Sequence, residues 1–104
     1  YRPGADPMEI LEFARRFQKE MGLPEGEAAR LIGHGQGLDL VERPALTPLG
    51  ETMKLKANMV MSCHPGTKSP SRAGYPAWID DDYLVTEVGG VRLQKTPQEI
   101  FVVG

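Results

Sequence analysis

An ordered change of texture constrains this chain more than any other feature. One amphipathic helix signal stands at the start, followed by short runs broken by glycine and proline. Asp6 is placed to cap the helix, Pro7 suits its first turn, and Glu9 gives a capping-box-like start. Ile10, Ala14, Phe17 and Met21 recur at helical spacing, flanked by Leu11 and Phe13. Glu9 and Glu12 lie near the start, and Arg15, Arg16 and Lys19 towards the end, which complements the helix dipole. Gly22 fits the position after the C-cap, and Pro24 stops continuation. Such a helix must bury one face, most simply on a sheet.

The remainder supplies that sheet. Leu31 to Leu40 reads as a strand or extended segment in which glycines mark close backbone approaches. Arg43 to Gly50 holds two prolines and reads as a loop. Met59 to Cys63 reads as a buried strand, with Met59 and Met61 as core residues. Asn58, just before it, tolerates the left-handed conformation of a turn. Pro65 to Pro76 reads as a long loop of the kind linked to binding sites. Trp78-Ile79 and Tyr83 to Thr86 read as strand, interrupted by Asp80-Asp81-Asp82. Gly89-Gly90 is expected to turn a hairpin into Val91 to Leu93, and Ile100 to Val103 to form a short terminal strand. The expected fold class is α+β: a long N-terminal helix packed on a mostly antiparallel sheet, in a single domain over residues 1–104.

Composition narrows the functional classes. The 104 residues suffice for one small domain. The formal net charge is −2, and no basic block is longer than Arg15-Arg16, so nucleic-acid binding has no electrostatic footprint. No apolar run approaches the ~20 residues that span a bilayer. One cysteine, Cys63, rules out an internal disulfide framework and fits a reducing compartment, so a cytoplasmic location is expected. The chain opens at Tyr1 rather than at a methionine, as expected of a piece of a longer polypeptide or of a processed one.

Three places supply donors suited to a metal. His34 sits among glycines in Gly33-His34-Gly35-Gln36-Gly37-Leu38, His64 in Cys63-His64-Pro65-Gly66, and the third is the triplet Asp80 to Asp82. Neutral imidazole with carboxylate suits Zn, Fe, Mn, Co or Ni. Spacing by itself leaves a plainer reading open: a turn histidine, a strand-capping histidine and a solvated acidic turn. Cys63 next to His64 suggests a nucleophile and base, but adjacent strand residues point to opposite faces, so Cys63 reads as a small core residue. Lys68 and Arg72 read as a solvated loop with an anionic ligand as the alternative, and Trp78 as either core or pocket wall.

Three ordered segments together resemble a known series. They are Gly33-His34-Gly35-Gln36-Gly37-Leu38-Asp39-Leu40-Val41-Glu42-Arg43-Pro44, then Leu55 to Gly66, then Ile79 to Glu87. They are similar to the C-terminal half of the pita-bread superfamily of aminopeptidase P, prolidase, methionine aminopeptidase and creatinase. The resemblance implies half of a pita-bread fold, with a curved sheet, as the C-terminal half of a larger catalytic domain. By that resemblance His34 falls on a metal-binding histidine. His64 falls on a metal-binding glutamate that also assists the attacking water. Asp80 falls on a glutamate that bridges two metals, and Val41 on a second histidine that contacts substrate. Trp78 stands where an arginine precedes the bridging acid, and the family's two aspartate ligands come from upstream of the matched segments.

The changed positions alter the chemistry. Imidazole offers one nitrogen and cannot bridge two metals as a carboxylate does. His34, His64 and Asp80 form a two-His, one-carboxylate set suited to a single Fe, Zn, Mn or Co ion. Glu42 and His64 are the candidate proton acceptors, with a structural or solvated glutamate as the alternative reading of Glu42. Losing the histidine at Val41 would cost roughly a few kcal/mol of transition-state stabilisation, the scale of one oxyanion donor. The expected function is that of a divergent, metallopeptidase-like hydrolase fragment, similar to Xaa-Pro aminopeptidases and dipeptidases and acting on a peptide or other C–N bond. A catalytically inactive pita-bread binding module and a creatinase-like, metal-independent amidinohydrolase are the alternatives. The expected partners are a small peptide-like substrate, the missing N-terminal half or a second copy, and a homodimer mate, with no nucleic acid and no membrane. The isolated chain is expected to be inactive, because half of the cleft is absent.

Overall fold

A computed structural model describes residues 1–22, 31–66 and 79–104. The helix α1 runs Pro7–Glu20. Its cap is the one the sequence indicates: the Met8 N–H donates to Asp6 Oδ1 at 2.8 Å, and Pro7 fills the first turn, where no N–H is needed. Gly22 follows the C-cap Met21 at φ 84°, and its N–H closes on the Lys19 carbonyl at 3.0 Å.

Among the described residues five strands follow: β1 Gly33–Gln36, β2 Glu42–Ala45, β3 Val60–Cys63, β4 Asp81–Thr86 and β5 Gly89–Arg92. They form one sheet in the order β2-β1-β3-β4-β5, and each neighbouring pair is antiparallel. The α+β class, with a long helix on an antiparallel sheet, therefore stands. Asn58 adopts φ 68° ahead of β3, the left-handed turn conformation its residue type permits.

The helix packs on one face of the sheet through two apolar clusters. Leu11, Ile32 and Leu46 form the first, and Leu55, Met61 and Val85 the second. Tyr1 and Ile10 pack against both and so join them. Burying each of these large side chains contributes roughly 1.5–3 kcal/mol. Tyr1 also meets Tyr83 edge-on, with ring centroids 5.7 Å apart.

Several expectations change. The helix buries Pro7, Leu11 and Gln18, and only the first half of the expected stripe, Ile10 and Ala14, packs on the core; Phe17 is 54% exposed and Met21 70%. The cores that the helix meets lie against its first half, so its second half carries apolar residues outwards. Arg43 to Gly50 is not loop throughout, because β2 takes in Pro44. An edge strand tolerates a residue that lacks the ladder N–H. Asp80 to Asp82 do not interrupt a strand, since Asp81 and Asp82 are the first residues of β4. The hairpin turn is Glu87-Val88, and Gly89-Gly90 lie in β5, with Gly89 paired to Thr86. Ile100 to Val103 form no strand and are exposed, and no strand among the described residues pairs with them. Most of the expected loop at Pro65 to Pro76, together with Lys68, Arg72 and Trp78, lies outside the described residues.

Candidate functional site

The register sets which side chains share a face. His34 pairs with Ser62, and Ser62 with Asp82, so these three stand side by side across the sheet. Met61, which pairs with Gly35 and Tyr83, points the other way into the core against the helix. The face away from the helix therefore carries His34, Ser62 and, by strand alternation, His64.

Glycine on either side of His34 has a steric origin. A Cβ at Gly33 would stand 2.6 Å from the Ser62 carbonyl oxygen, and one at Gly35 would stand 2.6 Å from that of Arg43. Neither fits without backbone movement. The strand with His34 is thus held tightly between its two neighbours.

His34 and His64 come together. Both are buried, at 6% and 4% exposure, and their ring centroids lie 5.0 Å apart with a tilt of 55°. The His34 Nδ1 lies 2.9 Å from the Gly35 carbonyl oxygen. That oxygen carries no proton, so Nδ1–H is the donor. In the neutral ring the lone pair then resides on Nε2, the nitrogen left to bind a ligand or accept a proton.

The three aspartates part company. Asp80 is exposed, and its Oδ1 accepts the Ser62 hydroxyl at 2.7 Å. Asp81 is buried on the opposite face and binds Arg92, whose Nε donates to Oδ1 at 2.8 Å; Gln98 donates to its other oxygen. The Arg92 guanidinium holds the Asp81 carboxyl below the usual carboxylate range. Asp82 exchanges two hydrogen bonds with Gln94, of 2.7 and 2.9 Å. Among the described residues no group of three or more His, Cys, Asp or Glu side chains stands ready to hold a metal ion. His34, His64 and Asp80 carry suitable donor atoms, but the fold brings only the two imidazoles together and does not gather the three into a metal-holding group.

Glu42 serves the glycine loop. Its Oε1 accepts the Asp39 N–H at 2.9 Å, and its carboxylate fills the space over Gly37, 2.6 Å from where a Cβ would stand. Val41 lies in this loop and is 54% exposed, as are Leu38 and Leu40 to a greater degree. Cys63 faces the helix side, hydrogen-bonded to the Tyr1 hydroxyl, and burial pushes its thiol up. A raised thiol is a poor nucleophile at neutral pH.

Glu51 is the site-adjacent residue that sequence reasoning missed. Its carboxylate is buried and accepts from Arg43 Nε at 3.1 Å and Arg43 Nη2 at 2.6 Å. It also accepts the backbone N–H groups of Ala45 at 3.1 Å, Thr52 at 2.8 Å and Met53 at 2.7 Å. The Arg43 guanidinium, chiefly, brings its carboxyl down to about 2. Nothing in its spacing marks it, because the three donors from Arg43 and Ala45 reach it only after the chain folds back. Ser62 was missed for a similar reason: its partner Asp80 lies 18 residues on.

Comparison with known proteins places these segments. A model of metallopeptidase family M24 matches residues 1–87. The chain is 36% identical over 99 residues to an Xaa-Pro dipeptidase of Pyrococcus furiosus, covering 95% of this chain and 27% of that protein. It is 37% identical over 102 residues to a probable dipeptidase, PepE, of Mycobacterium tuberculosis, covering 98% of this chain and 26% of that one. The fold superposes on an X-Pro aminopeptidase of Thermotoga maritima with a TM-score of 0.84 at 29% identity, over 98% of this chain and 28% of the other. It superposes on the prolidase of Pyrococcus furiosus with a TM-score of 0.79 at 35% identity, over 93% and 28%. The chain thus spans about a quarter of the length of these relatives.

Proposed function

We propose the following from one premise: the chain belongs to metallopeptidase family M24. It forms the C-terminal half of a larger pita-bread catalytic domain and supplies one wall of a hydrolase cleft. The reaction is hydrolysis of a peptide or other C–N bond, of the Xaa-Pro dipeptidase and aminopeptidase kind. The similarity to Xaa-Pro dipeptidases and to prolidase supports that substrate class.

The observation that carries the reading is the fixed imidazole of His34. Its Nδ1 proton is committed to the Gly35 carbonyl, so Nε2 is aimed as acceptor or ligand beside His64. A divalent Mn, Zn, Fe or Co ion would take the paired imidazoles of His34 and His64 as donors, completed by donors beyond the described residues. When bound, such an ion acidifies a water molecule. Glu42 is the proton acceptor in this reading, His64 could take that role only with its lone pair off the ion, and Ser62 fixes the carboxylate of Asp80.

A second reading takes its support from the described residues, which gather no three metal-binding side chains. In it, His34 Nε2 accepts the proton directly, as in a metal-independent amidinohydrolase, or the cleft binds peptide without turnover. Elemental analysis of the full-length protein, with turnover assays on Xaa-Pro dipeptides and on small C–N substrates, separates these outcomes. Metal at one equivalent or more with Xaa-Pro turnover supports the first reading. Turnover without metal supports the amidinohydrolase, and neither supports the binder.

The protein partners proposed are the N-terminal half or a second copy, and a homodimer mate. The outward Phe13 and Phe17 of α1, with its C-cap Met21, support an apolar partner surface. A cytoplasmic location is proposed from Cys63, which is a free thiol. No helix among the described residues is long and apolar enough to cross a membrane.

A further inference from the structure

We propose that Glu51 is a positioning residue for His34: it locks the irregular stretch of β2 that presses on Gly35, and so fixes which ring nitrogen of His34 carries the proton. The inference rests on the reading of His34 as the working imidazole.

The geometry runs through the backbone. Along β1, His34 pairs with Ala45 and the next residue, Gly35, pairs with Glu42. One step on β1 therefore spans three on β2, and the surplus is Arg43 and Pro44. Such a bulge bends the strand that carries it and raises the local twist of the pair. Glu51 holds both ends of this surplus. Its Oε2 accepts from Arg43 Nε and from the Ala45 N–H, each at 3.1 Å, and so straddles Pro44, which has no N–H to offer. Its Oε1 is anchored by Arg43 Nη2 and by the Thr52 and Met53 N–H groups.

The clamped segment touches the glycine that serves His34. The Arg43 carbonyl oxygen fills the space where a Gly35 Cβ would be, at 2.6 Å, and the Glu42 carbonyl oxygen lies 3.2 Å from the same point. The orientation of the Gly35 peptide, and with it the carbonyl that accepts the His34 Nδ1 proton, is thus set by the bulge. Glu51 touches neither His34 nor any reacting atom. It acts through Arg43, Ala45 and Gly35.

The test reads the His34 ring directly, by nitrogen-15 NMR of the full-length, metal-free protein labelled at histidine. At a pH where the ring is neutral, the native protein is expected to hold the proton on Nδ1, so the two shifts lie far apart. In Glu51→Gln the Arg43 pairing is lost and the two shifts move towards each other as the tautomers mix; in Glu51→Ala they move further. Leu55→Ala removes a core side chain from the second cluster and lowers stability without moving them. The proposal is overturned by unchanged His34 shifts in folded Glu51→Gln, by equal movement in Leu55→Ala, or by mixed tautomers in the native protein. A Glu51→Gln variant that does not fold also overturns it, because the residue then serves the fold alone. The ring shifts need neither substrate nor turnover. An inactive protein with the expected shifts defeats the hydrolase reading and leaves this inference standing.

Discussion

The imidazoles of His34 and His64 stand with centroids 5.0 Å apart, although thirty positions of chain separate them. The pairing of β1 with β3 brings them together: His34 opposes Ser62, and His64 lies two positions beyond Ser62 on the same face. Two buried rings this close, one with its tautomer fixed by a backbone carbonyl, make a more specific arrangement than either histidine would by itself.

Replacing His34 by Gln removes the aimed nitrogen and keeps most of the side-chain volume. In the full-length protein, kcat/KM on an Xaa-Pro dipeptide is expected to fall by about 10²–10⁴, the range for a positioned proton-transfer group. Steady-state kinetics measure this, with circular dichroism to show that the fold is retained. Activity within a few-fold of native would sink the role given to His34.

Gly35→Ala places a Cβ against the Arg43 carbonyl, where 2.6 Å is available. Backbone has to move, at a cost of roughly 1–3 kcal/mol, the scale of overpacking. Gly33→Ala meets the Ser62 carbonyl at the same distance and is expected to behave alike. Urea titration gives both values, and unchanged midpoints would show that the strands are less tightly spaced.

The helix offers a contrast between two apolar residues. Leu11 is fully buried, so Leu11→Ala is expected to cost about 2–5 kcal/mol. Phe17 is 54% exposed within this chain, so Phe17→Ala should stay within about 0.5 kcal/mol, the range of surface changes. Denaturant midpoints of this chain, produced separately, decide it. Equal losses would restore the stripe that the sequence suggests.

Acid stability should report Glu51. Its carboxyl lies at about 2 in the fold against an ordinary 4.5, so the native state favours the ionised form. The contribution is complete above pH 4.5 and is lost as the pH falls through that value towards 2. Glu51→Gln is expected to flatten the dependence of unfolding free energy on pH in this window. Arg43 is 61% exposed at its side chain, so added salt should weaken the native dependence. A slope that Glu51→Gln leaves unaltered would assign the acid sensitivity to other carboxylates, Asp81 first.

Local rules made much of the fold legible. The Asp6 cap, the Gly22 stop and the left-handed Asn58 each depend on a residue and its immediate neighbours. Patterns that depend on what lies across the sheet were harder to read. Asp80 to Asp82 look like a solvated acidic turn until β5 and the residues after it bring Arg92 and Gln94 beside Asp81 and Asp82. Gly89-Gly90 has the composition of a hairpin turn, yet Glu87-Val88 makes it, and Gly90 lies 3.2 Å from Tyr1 when measured from where its Cβ would stand.

The candidate site divides the same way. By itself the sequence determined that His34 lies between glycines in a motif similar to that of a peptidase family, because residue type and order along the chain carry that information. It also determined the fold class, because helical and strand periodicities are local. Only the tertiary structure decided that His34 and His64 share a face, that Asp80 is tied to Ser62, and that Glu51 clamps the bulge beside Gly35. Those relations depend on register between strands distant in sequence, and a slip of one residue would turn each side chain to the other face.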